Sequence, residues 1–177
     1  NDQIDEKMFQ ALKGAHQGMG REKGMATNDN RTKTDKINCS IYMAGQYLPT
    51  RDDNSLQSRT ISLQFPLGNR TSTQRDNFST LMNWSAAGMS SLILEIVKHR
   101  KTFEDALPLM YSTVIREVKE ALGSAEYEER VLGNYAVLLI TYKILEDRIT
   151  FPFPYESVFK QCVDGIIENS EAIQDSN

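Results

Sequence analysis

The chain has 177 residues, 40% hydrophobic and 25% charged, which is the composition of a globular protein long enough to bury a core. Its longest apolar run, Tyr135–Ile140, falls far short of the roughly 20 residues that cross a bilayer, so no membrane partner is expected. The net charge of −4 conceals an asymmetry: residues 13–75 carry ten Lys/Arg against five Asp/Glu (+5), and residues 123–177 carry four against ten (−6). The acidic half opposes phosphate contact, which leaves the basic half as the candidate face for an anion; uneven but solvated surfaces are the blander alternative.

Ile4, Met8, Phe9 and Leu12 recur at helical spacing and predict an amphipathic helix over about residues 2–15. The following segment, GREKGMATNDNRTKTDK, is nearly devoid of apolar residues and reads as a long basic loop carrying Arg21, Lys23, Arg31, Lys33 and Lys36. Its glycines do not have the spacing of a phosphate-binding loop, and a helix precedes them where such a loop needs a strand. Two runs rich in Ile, Thr, Tyr and Phe, Ile37–Met43 and Arg59–Phe65, predict short strands around a polar loop that holds Gln46, Asp52 and Asp53. A lone strand pair is only marginally stable in water, so these two are expected to complete a larger sheet.

From Gly68 onward the pattern is helical. Thr71, Ser72 or Thr73 can cap a helix whose apolar stripe runs from Phe78 to Val97, interrupted near Gly88. Pro108 suits the first turn of a further helix that ends at Gly123, and Ser124 opens the next. Residues 135–145 are apolar on nearly all sides, the mark of a helix central to a bundle. The Phe151–Pro154 sequence FPFP is an extended connector into a last helix bearing Cys162 and Ile166. The expected fold class is mainly α: a short strand pair from an incomplete α/β core in residues 1–68, then a four- to five-helix bundle in residues 69–177.

No complete active site is visible. His16 and His99 are isolated, no cysteine pair has metal-ligand spacing, and no serine sits in a nucleophile motif. Cys39 and Cys162 fall at apolar periodic positions and are expected as buried free thiols in a cytoplasmic protein. The chain opens NDQIDEK, without an initiating Met or an apolar leader, and is read as cut from something longer.

One arrangement goes further: LKGAHQGMGREKG, a polar basic loop, a strand ending in AGQYLPT, and a short loop into LQSRTISLQF. Over about Leu12–Phe65 this resembles the second half of an AAA+/superfamily-3-like P-loop ATPase core, more narrowly the helicase-like modules of primase–helicase proteins from bacterial mobile elements and phages. The resemblance implies a sensor-type position at Gln46 and a trans-acting arginine at Arg59. It further implies a DNA-contacting insertion through Arg21, Lys23, Arg31 and Lys33, and a helical lid after Gly68. It implies DNA and self-association as partners, and ATP with Mg as cofactors of the full-length protein, with none held by this chain alone. The chain lacks the Walker A and Walker B motifs of that family. A polar side chain can orient the attacking water, and an arginine from outside can offset charge developing on a transferring phosphoryl group. The residues leave other roles open: Arg59 as an arginine paired with Asp52 or Asp53, Gln46 as a turn hydrogen bond, and the whole chain as a non-catalytic helical adaptor.

Overall fold

The computed structural model describes residues 6–24, 32–45, 55–65, 68 and 70–175, without the side chains of residues 6–9, 21–24, 34 and 90. Among these residues the chain is mainly α-helical, with one short two-stranded antiparallel sheet. Helix α1 (Glu6–His16) leads through a tight turn into strand β1 (Met19–Gly24), which pairs with β2 (Thr32–Lys36). A 3-10 turn, Gln57–Arg59, follows. Helices α2 (Ser72–Ala87), α3 (Ser90–Val97), α4 (Arg100–Leu122), α5 (Glu129–Leu145) and α6 (Tyr155–Gln174) complete the order.

The sheet lies elsewhere than the hydrophobic pattern predicts. Residues 37–45 and 60–65 form no ladder, and the basic segment read as a loop contains the hairpin instead. Among the described residues the apolar runs have no partner strand: Ile41, Tyr42, Met43, Leu63 and Phe65 are exposed, Tyr42 by 94% and Phe65 by 86%. Strand propensity is realised only against neighbouring strands, and neither run has one. The hairpin forms from polar residues because close backbone approach carries it. A Cβ on Gly20 would stand 1.9 Å from the Asp35 carbonyl oxygen, inside the irregularity between Met19 and Glu22.

Helix starts and stops follow local chemistry. Thr71 and Gln74 form a reciprocal capping box on α2, each side chain accepting from the other's backbone N–H. Gly88 separates α2 from α3, as the sequence indicates. Pro108 does not open a helix; it lies inside α4, which begins eight residues earlier at Arg100. A proline there forgoes the bond to the Glu104 carbonyl, and Glu104 is exposed, so water can take that carbonyl.

The described chain forms two compact units. One comprises residues 1–62, 124–135 and 164–177, with Leu56, Val131, Leu132, Tyr135, Ile166 and Ile173 buried in it. Its polar interior is satisfied: Asn169 donates to the Tyr135 hydroxyl, which donates to the Ser62 carbonyl at 2.8 Å. Ser170 donates to the Ile166 carbonyl at 2.7 Å and accepts from the Glu128 N–H at 3.0 Å, just ahead of α5. The other comprises residues 63–123 and 136–163, with a core of Val114, Val118, Leu122, Leu139, Ile140 and Ile144. There the FPFP connector folds onto Tyr142, whose ring stacks on Phe151 at 4.4 Å and whose hydroxyl donates to the Phe153 carbonyl at 2.8 Å. Lys143 pairs with Glu117 at 2.7 Å and lies over the Tyr155 ring. Burial first, and then the charge of Glu117, push the Tyr155 phenol above its ordinary range.

Both cysteines are free. Cys162 is buried and its thiol is pushed up to about 11 by burial; Cys39, expected to be buried, is exposed because the run around it packs against no strand.

Gly165 tests the packing of the first unit. A Cβ there would stand 2.8 Å from Tyr135 Cε1 and 2.9 Å from its hydroxyl, and that ring is buried and hydrogen-bonded. Gly165→Ala is expected to destabilise the fold by about 1–3 kcal/mol, measured by urea unfolding, despite alanine's better helix propensity.

Candidate anion site

The Ser55–Thr60 turn in the first unit gathers cationic side chains from three parts of the chain. Leu56 and Gln57 are buried and anchor the turn; the Arg59 and Thr60 N–H groups close it onto the Leu56 and Gln57 carbonyls at 2.9 and 3.2 Å. Arg59, half-buried, donates through Nη1 to the Ser55 carbonyl. From α5, Arg130 donates to Ser58 Oγ at 3.3 Å, and one turn later Asn134 donates to the Ser58 carbonyl at 3.1 Å. From the end of α1, His16 hydrogen-bonds Asn134 and feels the charges of both arginines. The Asn134 contact favours the protonated imidazole, as an acceptor oxygen would.

Electrostatics follow from this geometry. Desolvation first, then the positive charges of Arg59 and Arg130, lower the His16 pKa from its ordinary 6.5; the Asn134 hydrogen bond opposes them. Among the described residues neither guanidinium is paired with a carboxylate: the partners of both are a carbonyl and a hydroxyl. Each arginine has five N–H donors, so several remain for an oxyanion. The Gln57 Oε1 atom is buried without a partner among the described residues, an open acceptor in the same turn. The arrangement is chemically suited to bind phosphate or carboxylate oxygens.

The sequence-predicted residues divide by position. Arg59 lies in this cluster, on the 3-10 turn and not at the start of a strand. Gln46 and Arg31 lie outside the described residues, as do Asp52 and Asp53, the alternative partners of Arg59. Arg21 and Lys23 lie on β1 and Lys33 on β2, so these cations belong to a hairpin. The register sets Lys23 opposite Lys33, like charges at facing positions that destabilise a ladder in isolation. Lys33 is partly offset by Asp35 at 3.6 Å, with both side chains mostly exposed.

His16, Arg130 and Asn134 were not legible as site residues. The available signal was Arg130 and Asn134 at i and i+4, a polar pair on one face of an otherwise apolar helix. Among the described residues no group of three or more His, Cys, Asp and Glu could hold a metal ion, and no helix is long and apolar enough to cross a membrane. No protein-family model, curated protein or solved structure matches the chain.

The lowered His16 pKa has a definite sign. The unfolded chain takes up a proton near 6.5 that the folded chain refuses until lower pH, so this contribution to stability is present above 6.5 and is lost as pH falls through the folded value. Arg130→Gln is expected to raise the His16 pKa, and saturating inorganic phosphate is expected to raise it in the wild type. Both are read from the imidazole proton resonances during a pH titration; no movement in either would remove Arg130 from the cluster.

Proposed function

We propose that this chain is the C-terminal part of an ATP-dependent DNA helicase or primase–helicase-like replication protein of the cytoplasm. In this reading it supplies a trans-acting arginine, a basic DNA-facing hairpin and a helical lid, and does not hydrolyse ATP alone. The observation that carries the reading is Arg59, a guanidinium with no carboxylate partner among the described residues, at the start of one of two β-type runs that lack strand neighbours among those residues. Ile41, Tyr42, Leu63 and Phe65 would be covered if strands of an ATPase core lay beside those runs. Arg59, with Arg130 nearby, fits the oxygens of a transferring phosphoryl group on a neighbouring subunit's nucleotide. In this reading Mg is held with the nucleotide by the core. The hairpin's facing lysines are tolerable at a surface that meets phosphates.

A second reading, the non-catalytic helical adaptor, is favoured by one observation: α2 buries none of its residues and exposes Phe78 and Trp84.

In a polypeptide joining this chain to its nucleotide-binding core, Arg59→Ala is expected to lower ATP turnover by about 10³-fold or more while nucleotide still binds. Turnover equal to wild type would leave the adaptor as the surviving reading. Reversing the charge of Arg21, Lys23, Arg31 and Lys33 together is expected to weaken DNA binding at low salt and flatten its salt dependence, measured by fluorescence anisotropy. Unchanged affinity would remove DNA from the hairpin's role.

A further inference from the structure

The exposed apolar surface of the second unit is concentrated in one stretch of chain. Between Phe78 and Tyr111, thirteen large hydrophobic side chains are exposed. In α3 the distribution is extreme: Leu92, Ile93, Leu94, Ile96 and Val97 are all exposed, Ile93 by 65% and Leu94 by 62%. At 100° per residue these five positions cover more than half of the helix circumference, a pattern otherwise found in buried helices. With about half of each side chain accessible, α2, α3 and the first part of α4 together present on the order of 1,000 Å² of apolar surface.

We infer that this surface is the contact face for a second copy of the same chain. Two features select that occupant. The total is enough to supply the roughly 800 Å² per partner that a stable dimer requires, and permanent homodimers are the class with the more apolar interfaces. The charge around it selects no oppositely charged partner: residues 70–111 carry five Lys/Arg against four Asp/Glu, a net of +1. Those charges are largely consumed locally. Lys98 pairs with Glu95 at 2.5 Å, Arg100 with Glu104 at 2.9 Å and Lys101 with Asp105 at 2.6 Å, while Arg70 lies over the Phe78 ring. An anionic membrane or a nucleic acid would be met by surplus Lys/Arg, which this stretch lacks. A near-neutral face can meet its own image without like-charge repulsion, as two-fold association requires. The inference does not rest on the ATPase reading, since it uses neither Arg59 nor the hairpin.

The test is sedimentation equilibrium of the whole chain at micromolar concentration, alongside the double variant Ile93→Glu/Leu94→Glu. Both side chains are mostly exposed and glutamate is a good helix former, so the variant should retain the far-UV circular dichroism of the wild type. The wild type is expected to sediment as a dimer, and the variant to dissociate with a Kd raised about a hundredfold or more. A monomeric wild type, a dimer unaffected by the double substitution, or a monomer that instead pellets with neutral phosphatidylcholine vesicles would each overturn the inference.

Discussion

The Tyr135 hydroxyl is the interaction on which the first unit depends. It accepts from Asn169 on α6 and donates to the Ser62 carbonyl, so one buried group ties two helices to an irregular segment that has no ladder of its own. Each such bond contributes only about 1 kcal/mol net, but leaving a buried amide or carbonyl unsatisfied costs about 1–3 kcal/mol. The asymmetry makes the arrangement all-or-none. Gly165 completes it: the ring takes the space where any other residue would place a Cβ. Asn134, the neighbour of Tyr135, extends the same tie to Ser58. Arg59 is therefore held between Ser58 and Ser62, both hydrogen-bonded to α5.

This anchoring sets how charge is managed in the cluster. Two guanidiniums and an imidazole in one region repel, and that repulsion adds to burial, the larger cause, in lowering the His16 pKa. The side-chain partner of His16 in this region is the Asn134 amide and not a carboxylate. An anion entering the region would reverse the balance, because it would favour the protonated imidazole that the arginines disfavour. The site is thus described better by its field than by any single residue.

Much of the helical architecture was legible because its signals are local. A cap among Thr71, Ser72 and Thr73, a break near Gly88 and a helix through the apolar residues 135–145 each act within a few residues, and all three appear where the sequence places them. The sheet was misplaced because its determinants are not local. Among the described residues Ile37–Met43 and Arg59–Phe65 have strand composition without strand partners, while Met19–Gly24 and Thr32–Lys36 have strand partners without strand composition. Gly20 decides the latter through a backbone approach that no periodicity reveals. Arg59 was legible through a motif, but Arg130 and His16 are brought to it by tertiary folding across about 70 and 40 residues of chain. Sequence spacing carries no trace of that convergence.

Two kinds of uncovered surface remain, and their chemistry separates them. The runs around Tyr42 and Phe65 form no backbone ladder among the described residues, so what covers them must supply hydrogen bonds; strands do this and helices do not. The α2–α3 stretch has its backbone bonded within helices, so its cover need supply only apolar contact. A single partner would therefore have to be a sheet for one surface and a packing face for the other. Two different occupants satisfy both demands more simply: strands beside the extended runs, and a like helix surface against α3. The segment carrying Arg59 and the segment carrying α3 can then act independently, since neither demand places any condition on the other.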